Sequence, residues 1–122
     1  MSADVVKRFL TAREARDVDE CIALVADNAV WHSPVGPSKH GREGFREAIE
    51  EAYANTSWFA TETLEVHAAG DRIAARVRNR GERQGEELDS EQLLFFRVED
   101  GRIVDVEIDV DDHSEVAEFW SA

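Results

Sequence analysis

Apolar residues recur along this chain at two periods, helical in the first half and alternating in the second. Val5, Val6, Phe9 and Leu10 repeat at helical spacing with Arg8, Arg13 and Glu14 mostly opposite, which predicts an amphipathic first helix. Asp17 stands where an N-cap belongs, with Glu20 three residues on as its capping-box partner. Val18, Cys21, Ile22 and Val25 then form the apolar stripe of a short second helix, and Asp27-Asn28 breaks the pattern. Residues 29–33 read as a short strand stopped by Pro34. A turn-rich loop with Gly36, Pro37 and Gly41 follows. A third helix begins near Arg42: Phe45, Ala48, Ile49, Ala52 and Tyr53 mark one face, and Arg46, Glu47, Glu50 and Glu51 the other.

Beyond Asn55-Thr56-Ser57 the period changes to two, the signature of strands. Trp58, Ala60, Leu64 and Val66 share one parity, as do Ile73, Ala75 and Val77 after a turn at Gly70-Asp71. Residues 81–85 read as a looser polar connection, residues 88–98 as a long strand, and Asp100-Gly101 as a hairpin turn. The last strand, 103–110, carries Val104, Val106, Ile108 and Val110 on one side and Asp105, Glu107 and Asp109 on the other. Residues 112–120 are expected to make a short terminal helix with Val116, Phe119 and Trp120. Helix, helix, strand, helix and a four-strand meander describe an α+β fold, with three helices on one face of a curved, mostly antiparallel sheet. The space between the layers would be a pocket lined by inward-facing apolar residues. The uncovered face is left for water or for a partner.

Length and charge narrow the classes. A chain of 122 residues is expected to be one domain, 1–122. No apolar run approaches the ~18 residues of a membrane span, and the N-terminus lacks a secretory h-region. Cys21 is the one cysteine, so no internal disulfide forms and a cytoplasmic setting is expected; on the apolar stripe it reads as a structural thiol. A net charge of −13 repels nucleic-acid backbones and anionic lipid alike, so neither is an expected partner.

The run Asp17-Val18-Asp19, Ala23-Leu24, Ala26-Asp27-Asn28-Ala29-Val30 and Pro34-Val35-Gly36 resembles the NTF2-like superfamily. Gly41-Arg42-Glu43-Gly44 before a helix, and Phe96-Arg97-Val98 with Asp100-Gly101-Arg102-Ile103, strengthen the likeness. It is closest in flavour to the ketosteroid isomerases and SnoaL-like cyclases. The resemblance implies a cystatin-like cone with three helices on the concave face of its sheet, an apolar pocket, and often a homodimer through the sheet. It also implies where the isomerase residues would fall, and none is kept. The general-base aspartate becomes Ser33, the tyrosine of the first helix becomes Phe9, and the protonated aspartic acid of the fourth strand becomes Leu94. The histidine of the cyclases' Gly-Thr-His-x-Gly turn becomes Arg83. A serine without a base cannot abstract a proton, and Phe9 and Leu94 donate no hydrogen bond.

Candidate chemistry is therefore restricted to other groups. His32 and Ser33 are neighbours in a strand and point to opposite faces; if Ser33 faces inward, Trp31 joins it and His32 faces out. Gln92 and Ser90 share Leu94's parity and could hydrogen-bond a ligand. His32, Ser33 and Gln92 are the catalytic candidates. Phe9, Trp31, Tyr53, Trp58, Ser90, Leu94, Phe96, Ile108 and Trp120 are the candidate pocket residues. Asp109, Asp111 and His113 alternate as metal ligands could, but an EF-hand fails at Ser114 and Trp120, and a solvated acidic face fits the charge better. Neither metal nor cofactor is expected. Three functions fit: an enzyme on a small apolar substrate, a non-catalytic pocket for a hydrophobic small molecule, and a dimerisation or scaffold module with a filled pocket.

Overall fold

The computed structural model describes residues 2–32, 37–110 and 119–120. In chain order the elements are α1 (Ser2–Glu14), α2 (Val18–Ala23), β1 (Val25–His32), β2 (Lys39–His40), α3 (Gly41–Ala54), β3 (Trp58–Ala69), β4 (Arg72–Arg83), β5 (Glu86–Glu99) and β6 (Arg102–Val110). The strands form one curved sheet in the order β2-β1-β6-β5-β4-β3, and three helices accompany it. Every neighbouring pair is antiparallel except β1 and β6, which run parallel. The α+β expectation holds.

The helices bury the stripes their spacing marks. Val6, Phe9 and Leu10 of α1 and Phe45, Ile49 and Ala52 of α3 are buried. Phe9 meets Phe96 of β5 edge-on, with ring centroids 5.8 Å apart. Burying a side chain of this size fully is worth about 1.5–3 kcal/mol, so a few such residues fix how the helices seat on the sheet. The Asp17 side chain accepts a hydrogen bond from the Glu20 backbone N–H at 3.1 Å, as an N-cap does. The Glu20 carboxylate turns instead to Arg8, 2.8 Å away, so the box is half made.

Four local readings change. Val25 leaves the second helix: α2 stops at Ala23, Leu24 accepts a hydrogen bond from the Ile103 N–H at 2.9 Å, and Val25 opens β1 opposite Ile103. A stripe of four residues cannot distinguish a last helical turn from a first strand residue, and pairing with β6 decides it. The connection at 81–85 is tighter than its polarity suggests. Strand β4 runs to Arg83 and turns through Gln84-Gly85, both at positive φ, as are Asp100 and Gly101 at the next hairpin. Val104 is an extra residue between the pairs Arg97–Asp105 and Val98–Ile103, so Ile103 takes the buried place.

The fourth change bears on the site. In β3, Thr63 pairs with Val77 while Glu65 pairs with Arg76, leaving Leu64 as a bulge. The parity that brings Val66 inward beyond the bulge therefore does not apply before it. Phe59 is buried, whereas Trp58 is 47% exposed and Ala60 and Leu64 are exposed with it. On this outer face Arg78 forks onto Asp89 at 2.5 and 2.7 Å, and Arg76 lies 3.2 Å from Glu91 and 3.3 Å from Glu65.

Candidate functional site

Between α1, α3 and the inner face of the sheet lies a cavity of about 400 Å³. Val77 of β4, Leu94 of β5 and Ile108 of β6 give it an apolar floor. Trp31, Leu10, Ala52 and Phe59 close it from the other elements. The Trp31 ring stands edge-on to Phe45 at 5.3 Å, which sets its plane.

Polar groups enter this apolar wall in adjacent rows of the sheet. Thr61, Asn79 and Ser90 are cross-strand partners in one row, and Val77 and Gln92 are partners in the next. Thr61 Oγ1 donates to Asn79 Oδ1 at 2.9 Å, so the Asn79 amide N–H groups remain as donors at the cavity. Gln92 borders the cavity beside them.

One cation enters from above. Arg13 borders the cavity, is only 9% exposed, and holds its guanidinium carbon 5.9 Å from the centroid of the Trp31 ring. Its Nε is buried without a hydrogen-bond partner, and among the described residues no carboxylate forms an ion pair with it. The other two cations around the cavity are engaged. Lys39 Nζ lies 2.5 Å from Glu47 and 3.7 Å from Glu51, and Arg83 donates to the carbonyls of Phe119 and Trp120. The hydrogen bond that Lys39 donates to Glu47 holds its ammonium above the ordinary lysine range.

The sequence candidates are scattered by this geometry. Trp31, Leu94, Ile108, Trp120 and Gln92 border the cavity. Phe9 and Phe96 do not: both are fully buried behind the floor, in contact with each other. Tyr53 is also withdrawn, donating from its hydroxyl to the Arg13 carbonyl at 3.1 Å with the Arg16 guanidinium 4.3 Å over its ring. Ser90 is buried beside Asn79 and donates weakly to the Glu91 carbonyl at 3.4 Å. Trp58 is on the opposite face because of the Leu64 bulge. Ser33 lies outside the described residues, as do Asp111, His113 and residues 112–118 of the helix expected over 112–120.

His32 points away from the cavity. Its Nε2 lies 3.0 Å from Asp105 Oδ2, and the ligand atoms of His32, Asp105 and Glu107 lie within 4.8 Å of one another. These three side chains could hold a divalent ion, but Glu107 already meets Arg72 at 3.1 Å. Cys21 is an interior thiol: burial pushes it up to about 11, and Sγ donates to the Phe9 carbonyl at 3.7 Å.

Arg13, Asn79 and Thr61 were not among the sequence candidates, although a signal existed. Arg13, expected mostly opposite the apolar stripe, is instead buried on it, because it follows Val6, Phe9 and Leu10 at the next helical turn; Asn79 continues the Ile73, Ala75, Val77 parity.

Residues 6–106 match the model of the SnoaL-like domain. The chain belongs to the SnoaL-like domain family. Its NTF2-like fold is shared with solved structures. Bal32a, from a soil-derived mobile gene cassette, is 28% identical and superposes with a TM-score of 0.92 over 98% of this chain and 95% of its own. A candidate polyketide cyclase from Sinorhizobium meliloti is 25% identical, with a TM-score of 0.75 over 87% of this chain and 94% of its own. TerC, co-crystallised with polyporic acid, is 15% identical, with a TM-score of 0.82 over 98% of this chain and 97% of its own. No curated protein matches the SnoaL-like chain. No described helix of this family member is long and apolar enough to cross a membrane.

Proposed function

We propose that this SnoaL-like chain binds a hydrophobic, ring-bearing small molecule in the cavity. One observation carries the reading: a space of about 400 Å³ has an apolar floor of Val77, Leu94 and Ile108, with the amides of Asn79 and Gln92 entering beside it. Apolar walls supply affinity, and a few fixed donors set orientation. The polyporic acid in TerC and the cyclase naming of the Sinorhizobium protein support a ligand of this class. The same reading takes residues 1–122 as one domain, which assembles as a homodimer through the uncovered face where Trp58, Leu64 and Leu93 are exposed. Nucleic acid is not a partner in this reading, because the chain carries −13.

The test is a titration with N-phenyl-1-naphthylamine, a neutral dye that brightens in apolar surroundings. Saturable enhancement at one dye per chain is expected, and Ala48→Trp, which places a bulky ring at the half-buried wall of α3, should abolish it. Absence of saturable binding to a folded wild-type chain would remove the proposal.

A second reading, an isomerase, cyclase or hydrolase-type enzyme, has one observation in its favour. Glu51 is the carboxylate among the described cavity residues, set 3.7 Å from Lys39. In that reading Glu51 moves the proton and Gln92 orients the substrate, while His32 serves the outer face. Loss of turnover in Glu51→Gln with dye binding retained would separate catalysis from binding.

A further inference from the structure

We infer that the occupant of the cavity is an anion: a cyclic or aryl compound whose carboxylate, or an equivalent delocalised oxyanion such as an enolate, pairs with Arg13. This rests on the small-molecule reading of the cavity and names the charge of what it takes.

Arg13 is the reason. It sits in α1 one helical turn beyond Phe9 and Leu10, on the stripe that faces the sheet, and is 9% exposed. A guanidinium is always charged, and removing it from water is costly unless an anion or a full set of acceptors replaces the lost hydration. Here neither is present among the described residues. Nε is buried without an acceptor, no carboxylate lies within ion-pair distance, and the polarised contact is the Trp31 ring 5.9 Å away. A ring contact at that separation returns only part of the lost hydration.

The surroundings have the same sign. The whole chain carries −13, yet the described cavity residues include Arg13, Lys39 and Arg83 against one carboxylate, Glu51. Lys39 is neutralised by Glu47 and Glu51, and Arg83 is committed to the carbonyls of Phe119 and Trp120. Among the described residues Arg13 is left without a carboxylate partner beside an apolar space. Asn79 adds donors, because Thr61 occupies its carbonyl oxygen at 2.9 Å. A cation and amide N–H groups around an apolar floor favour an acceptor that is ionised and attached to a ring.

Two probes of one shape decide it: 2-naphthoate, an anion, and 2-naphthamide, its neutral counterpart. Titration of the wild-type chain should give a dissociation constant for the naphthoate at least about tenfold lower, the effect of one charge-assisted contact in a dry site. Arg13→Met should bring the ratio close to one, and Arg13→Lys should keep part of the preference. The Arg13 Nε–H resonance of the wild-type chain should shift with naphthoate and stay still with the amide, a readout that holds even if a variant fails to fold. Equal affinities for the two probes overturn the anion while leaving the cavity reading intact. Failure of both probes and of the neutral dye to bind the folded chain overturns both. A preference that survives in a folded Arg13→Met chain removes Arg13 from the site.

Discussion

His32 and Asp105 join the two parallel strands of the sheet from the outside, with Nε2 and Oδ2 3.0 Å apart. Trp31, one residue earlier and opposite Val106, borders the cavity instead. The alternation of a strand thus separates the imidazole from the ligand space. Replacing His32 with Ala should leave cavity binding unchanged and lower stability by at most about 1 kcal/mol, as expected for a half-exposed pair. The wild-type chain should show no isomerisation of a β,γ-unsaturated ketosteroid, since Ser33, Phe9 and Leu94, which the resemblance sets in place of the base and both donors, can do neither task. Turnover abolished by His32→Ala would place that ring at the substrate and refute this orientation.

Arg13→Met should stabilise the empty protein. The methionine keeps much of the apolar stem and removes a buried charge that no described carboxylate pairs, a change worth about 1–2 kcal/mol. In a chain of 122 residues that corresponds to a thermal midpoint higher by about 3–8 °C. A clear loss of stability in urea would mean that the guanidinium is already paired in the fold.

Gly81→Ala tests how closely β3 passes β4. A Cβ there would stand 2.9 Å from the Trp58 carbonyl oxygen and 3.0 Å from Phe59 Cδ2. The first is backbone in a paired strand and cannot step aside alone, so a cost of about 1–3 kcal/mol is expected. A neutral result in chemical denaturation would show that the β3 edge can move.

Burial raises the Cys21 thiol to about 11 from 9.0, so the folded chain holds this proton more tightly than the unfolded one. Its contribution to stability is complete below pH about 9 and is lost as pH rises from there through about 11. Cys21→Ala should flatten the alkaline fall in urea midpoint over that window. At neutral pH the wild-type thiol should react with a maleimide only at the rate of opening; rapid labelling would contradict its burial.

Trp58, Leu64 and Leu93 leave an apolar group on the outer face amid the arginine–carboxylate pairs. Sedimentation at ~100 μM should give a dimer, since micromolar affinity suffices for assembly at that concentration. Leu93→Glu should shift it toward monomer. A wild-type monomer at that concentration would leave the face without a second copy.

Much of this molecule is written locally. Helical spacing around Phe9 and Phe45, the N-cap at Asp17, the Asp100-Gly101 turn and the order of elements apart from the short β2, which falls in the expected loop, all depend on residues near one another in the chain. They were legible for that reason. The expected loss of the isomerase groups rests likewise on residue identity alone, at Ser33, Phe9 and Leu94. Which side chains meet the cavity was not legible to the same degree. The Leu64 bulge exists only against the register of β4, and it alone sends Trp58 outward and Phe59 inward. Phe9 and Phe96, apolar and of the right parity, are consumed by each other. Arg13 shows the division most plainly. Its place on the apolar stripe was in the sequence, but a long cationic side chain can bend back to water from such a place. Only the packing of α1 over Trp31, with Lys39 and Arg83 tied elsewhere, left that charge facing the cavity.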